Sequence, residues 1–164
     1  MKKQKGFSLI ELLIVVAIIL IIAAIAIPNL LRAKISANEA SAVGSMRTIV
    51  TGEVSYAAAD WTNGGQPIGY SVALKDLGGA NCNPPTSTST CLIDPILANA
   101  GAVATAKSGY YFAYAQTNNG TGFTLNGNPA APGQTGSRYF FADQSGVIRF
   151  NPAAAAGAAD NPLQ

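Results

Sequence analysis

Hydrophobic residues follow two different patterns on either side of position 28. Before it, residues 12–27 are sixteen consecutive apolar positions, and the run extends back to Phe7 with only Ser8 and Glu11 as polar interruptions. A helix of that length measures roughly 31 Å, which is enough to cross the hydrocarbon core of a bilayer. The pattern predicts a membrane-spanning helix over residues 7–28.

After Pro28, apolar residues recur at every third or fourth position, which is the spacing of one stripe along an amphipathic helix. This predicts that the helix continues over residues 29–60, with Glu39 and Ser45 on other faces. Pro28 has no amide proton and its ring crowds the preceding turn, so we expect a kink or a local melting of the helix there. The predicted stripe comprises Leu30, Ala33, Ala37, Ala40, Val43, Met46, Val50, Val54 and Ala57.

Residues 61–108 show no regular pattern and are predicted to form a long connection. They contain Gly-Gly and Pro-Pro pairs and a Thr/Ser run at 86–90, which are loop signals. Short helical or strand pieces are expected near residues 71–77 and 92–97. A connection of this length is unusual unless it is functional or crosslinked.

Cys82 and Cys91 lie within this connection and are a candidate disulfide. Compartments outside the cytoplasm preserve such bonds, so export of this part of the chain would lead to pairing. If the segment stayed in the cytosol, the two residues would be free thiols. A Cys82–Cys91 bond would pin the connection.

Residues 109–150 alternate β-formers with turn residues and predict an antiparallel sheet of about four strands. Two of the strands are expected within 138–150, where Asp143-Gln144-Ser145-Gly146 signals a turn. One face of the sheet should pack on the C-terminal half of the helix, which gives an α+β fold. Residues 151–164 are expected to be a loosely held tail.

Composition argues against an enzyme and against nucleic-acid binding. The chain has no histidine, so the commonest general base and any Ser-His-Asp or Cys-His arrangement are missing. No phosphate-binding glycine loop with its lysine occurs. From Trp61 onward four basic residues balance four acidic ones, which leaves no clustered basic surface for a nucleic-acid backbone.

Glu11 is an acidic residue within the apolar run, and membrane anchoring alone does not require it. A carboxylate at the bilayer centre costs up to about 3 kcal/mol on insertion scales, which the surrounding aliphatic residues offset. No basic residue lies between Phe7 and Leu31. The natural partner is therefore an N-terminal amine created by cleavage, on this chain or on a neighbour.

Two plainer interpretations of the N-terminus remain open. Ala24-Ile25-Ala26 fits the cleavage pattern of a secretory signal peptide. The run could also be a single-pass anchor with an incidental acid. In the membrane-spanning interpretation, the lysines at positions 2, 3 and 5 stay cytoplasmic and the C-terminal bulk faces outward.

The residues around Glu11 carry a resemblance to a known family. The segment Lys5-Gly6-Phe7-Ser8-Leu9-Ile10-Glu11-Leu12-Leu13 resembles the prepilin cleavage and methylation motif that type IV pilins share with type II secretion pseudopilins. The resemblance is specific over residues 1 to about 58 and architectural beyond. Pro28 stands where the family often has a helix-bending proline.

The resemblance implies a pilin fold and a processing pathway. Residues 1–6 would be a leader, which a prepilin peptidase cuts between Gly6 and Phe7 before methylating the new amine of Phe7. Gly6 has no side chain to obstruct access to the scissile bond. Glu11 would pair with the Phe7 amine of an adjacent subunit, because a buried carboxylate is far less costly when an ammonium neutralises it.

The function expected from these residues is that of a major pilin, the structural subunit of a type IV pilus-like helical filament. Its partners would be copies of itself, minor pilins, the prepilin peptidase and the inner-membrane assembly machinery. The precursor would lie in the inner membrane with its N-terminus inside and its C-terminus outside, and the filament would be extracellular.

Two alternatives to a major pilin remain, one from a different filament system and one from a different class of protein. The chain could be the major pseudopilin of a type II secretion system, with a periplasmic pseudopilus, since both cysteines precede the sheet and the C-terminal disulfide loop frequent among pilins is absent. It could also be a monomeric membrane-anchored binding protein, which predicts no leader cleavage and no role for Glu11.

Other candidate sites are weaker. No cofactor is expected, although Asp94 and Asp143 are candidate calcium ligands by similarity to some secretion pseudopilins. Asn119-Gly120-Thr121 matches a glycosylation sequon. The aromatic residues of 110–114 could form a stacking platform, but aromatic strand residues more often belong to the core; they are Tyr110, Tyr111, Phe112 and Tyr114.

Overall fold

The computed structural model describes residues 7–63, 65–79 and 82–163. The chain divides into two compact units, Met1–Lys34 and Ile35–Gln164, and helix α1, Leu9–Ala57, contributes to both. The predicted leader, and with it Gly6, lies outside the described residues.

In the first unit, α1 is an apolar helix exposed on all sides. From position 7 to position 34 every residue is exposed except Ala23, which is partly buried. The segment is long and apolar enough to cross a membrane, as predicted. Aliphatic side chains exposed at this density are unfavourable in water and call for lipid or for other helices.

Pro28 lies inside α1, and the helix continues through it without a break. The local melting expected at this position is therefore not observed. A bend at Pro28 stays a prediction.

In the second unit, the buried face of α1 differs from the predicted stripe. Met46 and Ile49 are fully buried, but Val54 is 57% exposed and Ala40 is also exposed. Glu39 and Ser45, expected on other faces, are buried. The face is set by what packs against it, and two glutamates belong to it; its members are Glu39, Ala42, Val43, Ser45, Met46, Ile49, Gly52, Glu53 and Tyr56.

The connection after α1 contains several short elements. Strands β1 (Thr62–Asn63) and β2 (Gln66–Pro67) form a small antiparallel ribbon. A 3₁₀ turn covers Leu74–Leu77, within the first stretch where a short piece was expected, and helix α2 covers Pro95–Ala98, which overlaps the second stretch. A second 3₁₀ turn follows at Val103–Thr105.

The main sheet is antiparallel and has five strands in the order β3-β4-β5-β6-β7, one more than predicted. The long pair β3–β4 is joined through residues 118–121, and its register places Tyr114 opposite Leu125. The turn predicted from Asp143 is present, with the Gly146 amide donating to the Asp143 carbonyl at 3.0 Å. The strands are β3 (Tyr110–Thr117), β4 (Gly122–Pro129), β5 (Tyr139–Asp143), β6 (Arg149–Asn151) and β7 (Asn161–Pro162).

The core of the second unit lies between α1 and one face of the sheet, as predicted. Met46 and Ile49 of the helix share one cluster with fully buried aromatic side chains of three strands. Gly127 of β4 leaves room for Met46, since a Cβ there would lie 2.9 Å from the Met46 sulfur. The aromatic members from these strands are Tyr110, Phe112, Phe123 and Phe140.

The C-terminal tail is held more firmly than expected. Its residues Asn161 and Pro162 form β7 and pair with β6. The Leu163 amide donates to the Ile148 carbonyl at 2.8 Å, and the Leu163 side chain packs against the core. The prediction of a loosely held tail was wrong because a strand of two residues has no period that can be recognised in sequence.

Candidate functional site

The predicted assembly residue Glu11 lies in the first turn of α1. Its Oε2 accepts a hydrogen bond of 2.9 Å from the backbone N–H of Ser8. Because the helix begins at Leu9, Ser8 is the N-cap residue and Glu11 is the third residue of the helix. This contact is one half of a capping box, and it places negative charge at the positive end of the helix dipole.

The geometry leaves Glu11 able to accept a second partner. Its side chain is exposed, and Phe7, on which cleavage would create an amine, directly precedes the capped Ser8. The carboxylate can therefore cap its own helix and also face an amine. Cleavage after Gly6, methylation of Phe7 and pairing with Glu11 stay predictions.

Sequence reasoning missed the local partner of Glu11, although the signal was present. Ser8-Leu9-Ile10-Glu11 is the Ser-x-x-Glu pattern of a capping box ahead of an apolar run. The pattern explains why an acid is tolerated near the end of the apolar segment. It also supplies a structural role that any experiment on Glu11 has to separate from assembly.

Glu39 forms a second carboxylate site, between α1 and the start of β5. Its Oε1 accepts hydrogen bonds from the Ser137 amide and hydroxyl, both at 2.9 Å, and from the Arg138 amide at 3.1 Å. Its Oε2 accepts from Arg138 Nε at 2.7 Å. The carboxylate is thus paired and well bonded, which is the condition under which a buried charge is tolerated.

These contacts determine how Glu39 titrates. Burial by itself raises the pKa of Glu39, but the bonds from Ser137 and Arg138 outweigh it, so the pKa lies below its ordinary value. The Arg138 guanidinium also lies 5.7 Å from the ring centroids of Phe140 and Phe150. One charged pair therefore ties the helix to two strands.

Glu53 forms a third carboxylate site, between α1 and the connection. It is fully buried and accepts hydrogen bonds from the amide and hydroxyl of Ser71, at 2.9 and 2.5 Å. The Tyr114 hydroxyl of β3 donates to the Ser71 carbonyl at 2.9 Å. Burial is the main cause of a raised pKa of Glu53.

Neither Glu39 nor Glu53 was singled out as a site residue from the sequence. The available signal was their spacing, since residues fourteen apart lie nearly four helical turns apart and on the same face. The partners could not be read, because Ser137 is 98 residues away from Glu39.

The predicted disulfide is present. Cys82 and Cys91 are bonded, with their Cα atoms 5.9 Å apart. The loop that they close is fastened to the rest of the unit at several points, among them the Tyr56 hydroxyl, which donates to the Ser87 carbonyl at 2.7 Å. The Leu92 amide, just after the loop, donates to the Leu77 carbonyl at 2.7 Å.

The candidate calcium ligands serve local structure instead. Asp94 caps α2 by accepting from the Leu97 amide at 3.0 Å, and Asp143 accepts from the amide of Ser145 at 2.9 Å. Over residues 7–63, 65–79 and 82–163, no cluster of three or more His, Cys, Asp or Glu side chains is placed to hold a metal ion. Calcium binding at Asp94 and Asp143 stays a prediction.

Burial distinguishes the two remaining candidates, the aromatic group of residues 110–114 and the sequon at Asn119. Tyr110 and Phe112 are buried in the core, so the aromatic group is not a free stacking platform. Asn119 is exposed in the short turn between β3 and β4, where its side chain is accessible.

Comparison with known proteins bears on the N-terminal part of the chain. Residues 1–27 match the family described as the prokaryotic N-terminal methylation motif. The chain is 64% identical over 39 residues to the type IV wide pilus major component PilA4 of Thermus thermophilus, covering 24% of this chain and 30% of that protein. It is 43% identical over 54 residues to the type IV major pilin protein PilA of Myxococcus xanthus, covering 33% of this chain and 24% of that protein.

The similarity spans less than a third of the length of either relative. No solved structure matches the chain. The motif, the two pilins, the long apolar helix and the sheet packed on it agree with one another and support a relationship to the type IV pilins.

Proposed function

We propose that this chain belongs to the type IV pilin family and is a major pilin, the structural subunit of a type IV pilus-like helical filament. The observation that carries the proposal is the first unit, an exposed apolar helix whose only acid before Lys34 is Glu11 in its first turn. Such a helix is stable in a bilayer before assembly and among copies of itself afterwards. Both relatives are named as major components of type IV pili.

Processing would precede assembly. A prepilin peptidase would cut between Gly6 and Phe7 and methylate the new amine, leaving a positive charge four residues before Glu11. Pairing of this amine with the Glu11 carboxylate of an adjacent subunit would neutralise both charges in an apolar surrounding. This pairing would hold the subunits at one register along the filament. The inner-membrane assembly machinery and minor pilins would be further partners.

The direct test is the mass of the N-terminal peptide of the mature protein. We expect a peptide that begins at Phe7 and carries one added methyl group. As a matched control, a variant with a bulky residue at Gly6, such as Gly6→Ile, should keep its leader in the same cells. A wild-type protein that retains Met1 in cells with an active prepilin peptidase would overturn the proposal.

A second candidate is the major pseudopilin of a type II secretion system. The position of the disulfide keeps this candidate open, since Cys82 and Cys91 both precede the main sheet and the C-terminal disulfide loop expected of many pilins is not formed by them. The deciding experiment is electron microscopy of cells whose type II secretion genes are deleted. Surface filaments that contain this protein support the pilus, and their absence supports secretion.

A monomeric membrane-anchored binding protein is the alternative of a different class. It requires neither processing nor an acid at position 11, so the peptide mass distinguishes it from a filament subunit. We expect no catalysis, because the chain has no histidine and the relatives are named as pilus components. The expected location is the inner membrane for the precursor and the cell exterior for the filament.

A further inference from the structure

Glu53 is a buried acid that the proposed filament contacts do not use. It lies on the face of α1 turned toward the core and has no exposed surface. The Ser71 amide donates a hydrogen bond to its Oε2 at 2.9 Å. The contact joins the helix to the connection across eighteen residues of sequence.

The hydrogen bonds around Glu53 are complete when the carboxyl group carries a proton. Oε1 lies 2.5 Å from the Ser71 hydroxyl oxygen, and that hydroxyl lies 3.3 Å from the Ala73 carbonyl. A protonated Oε1 donates to the Ser71 hydroxyl, which then donates to the Ala73 carbonyl, while Oε2 still accepts from the Ser71 amide. Each polar atom keeps a partner in this form.

An ionised Glu53 would be a buried charge with a second acid near it. Asp76 of the 3₁₀ turn faces the same region and is only 5% exposed. Tyr56 of α1 and Tyr114 of β3 are the other titratable neighbours, and their hydroxyls donate to the carbonyls of Ser87 and Ser71. The Tyr114 hydroxyl also interacts with the Glu53 carboxyl group and lowers its pKa. Lys75 precedes Asp76 in the sequence, but its side chain is exposed.

Over residues 7–63, 65–79 and 82–163, no ion pair joins a cation to Glu53 or to Asp76. Within the described residues, the ion pair is that of Arg138 with Glu39, at another part of the helix. An ionised Glu53 would therefore lie in a poorly solvated position beside Asp76. Burial raises the pKa of Glu53 most, the bonds from Ser71 and Tyr114 oppose this rise, and the charge of Asp76 adds to it.

We propose that Glu53 is a proton-operated latch, which holds the segment from Ser71 to Leu77 against α1 when protonated and loosens it when ionised. The segment carries Leu74 and Leu77 into the core. Its carbonyls at Asp76 and Leu77 accept from the Thr90 and Leu92 amides. Loosening at Glu53 therefore spreads to the disulfide-closed loop, and the connection is held more tightly in acid than in alkali.

The direction in which stability changes with pH follows from the coupling between proton binding and folding. A carboxyl group whose pKa is raised on folding stabilises the folded state fully below its unfolded pKa. That contribution is lost as the pH rises through the folded pKa. Stability due to Glu53 thus falls in the range above the ordinary glutamate value.

The test compares the full-length protein with Glu53→Gln in detergent micelles over pH 4–9. Glutamine reproduces the protonated acid, since it accepts from the Ser71 amide and donates to the Ser71 hydroxyl. We expect the melting temperature of the wild type to fall relative to Glu53→Gln as the pH rises. We also expect the hydrogen-exchange protection of the Ser71 amide to decrease in the wild type alone.

The matched control is Glu39→Gln, which removes an acid that has a cation and should not show this alkaline trend. A difference between wild type and Glu53→Gln that stays constant over the pH range would overturn the latch. Should Glu53→Gln fail to fold, carbon NMR of the Glu53 carboxyl group decides. Titration together with the exposed acids refutes the proposal, and titration at higher pH that moves down in Asp76→Asn supports it.

Discussion

Arg138 Nε lies 2.7 Å from Glu39 Oε2. Since Arg138 directly precedes β5, this ion pair joins α1 to the sheet. The same guanidinium lies over the rings of Phe140 and Phe150. Its removal would leave the Glu39 carboxylate buried with only neutral donors. The pair is therefore a point at which the packing of the helix on the sheet can be tested directly.

Arg138→Ala should destabilise the protein by about 1–3 kcal/mol, because the charged partner of a buried acid is lost. Arg138 is itself 37% exposed, so water replaces part of the interaction and keeps the effect toward the lower end. The measurement is urea unfolding followed by circular dichroism. Arg47→Ala, at an exposed position of the same helix, is the control and should stay within about 0.5 kcal/mol of wild type.

Glu39 should make stability fall in acid. Its pKa is lowered from the ordinary value of 4.5, so its contribution is fully present above that value and is lost as the pH falls through the folded pKa. Unfolding of the wild type and of Glu39→Gln, measured from pH 7 down to pH 2, should converge at the acid end. Curves that remain parallel throughout would show that the charge of Glu39 does not contribute.

Substitution of Glu11 should separate capping from assembly. Glu11→Gln keeps an acceptor for the Ser8 amide, because glutamine also serves at this position of a capping box, but it removes the charge. Glu11→Ala removes both. We expect both variants to insert in the membrane and both to yield few filaments, as judged by fractionation and electron microscopy.

The outcome with glutamine is the informative one. Normal filament yield from Glu11→Gln together with loss in Glu11→Ala would mean that the carboxylate acts only as a helix cap. Normal yield from both would remove the registry hypothesis altogether.

Loss of the disulfide should weaken the connection. A closed loop of about ten residues corresponds to about 2–3 kcal/mol in the chain-entropy model. The double variant Cys82→Ser with Cys91→Ser should lose that amount of free energy of unfolding. It should therefore unfold at a lower denaturant concentration than the wild type. Addition of a reductant should destabilise the wild type and leave the double variant unchanged, which serves as the internal control.

Two glycines offer opposite predictions. Gly120 has φ +92°, and a Cβ there would lie 2.0 Å from the Ile68 carbonyl oxygen, so Gly120→Ala should cost about 2 kcal/mol or more. Gly44 lies in α1, and a Cβ there would meet nothing within 4 Å. Gly44→Ala should therefore stabilise by about 0.5–1 kcal/mol. Equal effects of the two substitutions, measured by thermal unfolding, would contradict this account of the turn at Gly120.

Much of the fold was readable because it depends on local properties of the chain. The apolar run of α1 and the turn at Asp143 are recognised from neighbouring residues. The pairing of Cys82 with Cys91 follows from there being two cysteines. The motif around Glu11 is equally local, which is why it indicates the family even though little of the chain is matched.

The errors concern contacts between distant segments. The buried face of α1 was misassigned at Glu39 and Ser45, because hydrophobicity alone does not report that a serine and an arginine almost a hundred residues later satisfy an acid. Strand β7 was missed because two residues acquire strand geometry only from β6 beside them.

The sequence by itself determined the long apolar helix, the N-terminal motif and the class of fold, since each depends on composition and spacing along one stretch of chain. Only the tertiary structure decided which groups surround each buried acid. Glu53 and Glu39 lie on one face of one helix, yet one has Ser71 and a second acid beside it while the other has Arg138. The physical reason is that the energy of a buried charge depends on the groups brought to it by folding, and not on its neighbours in sequence.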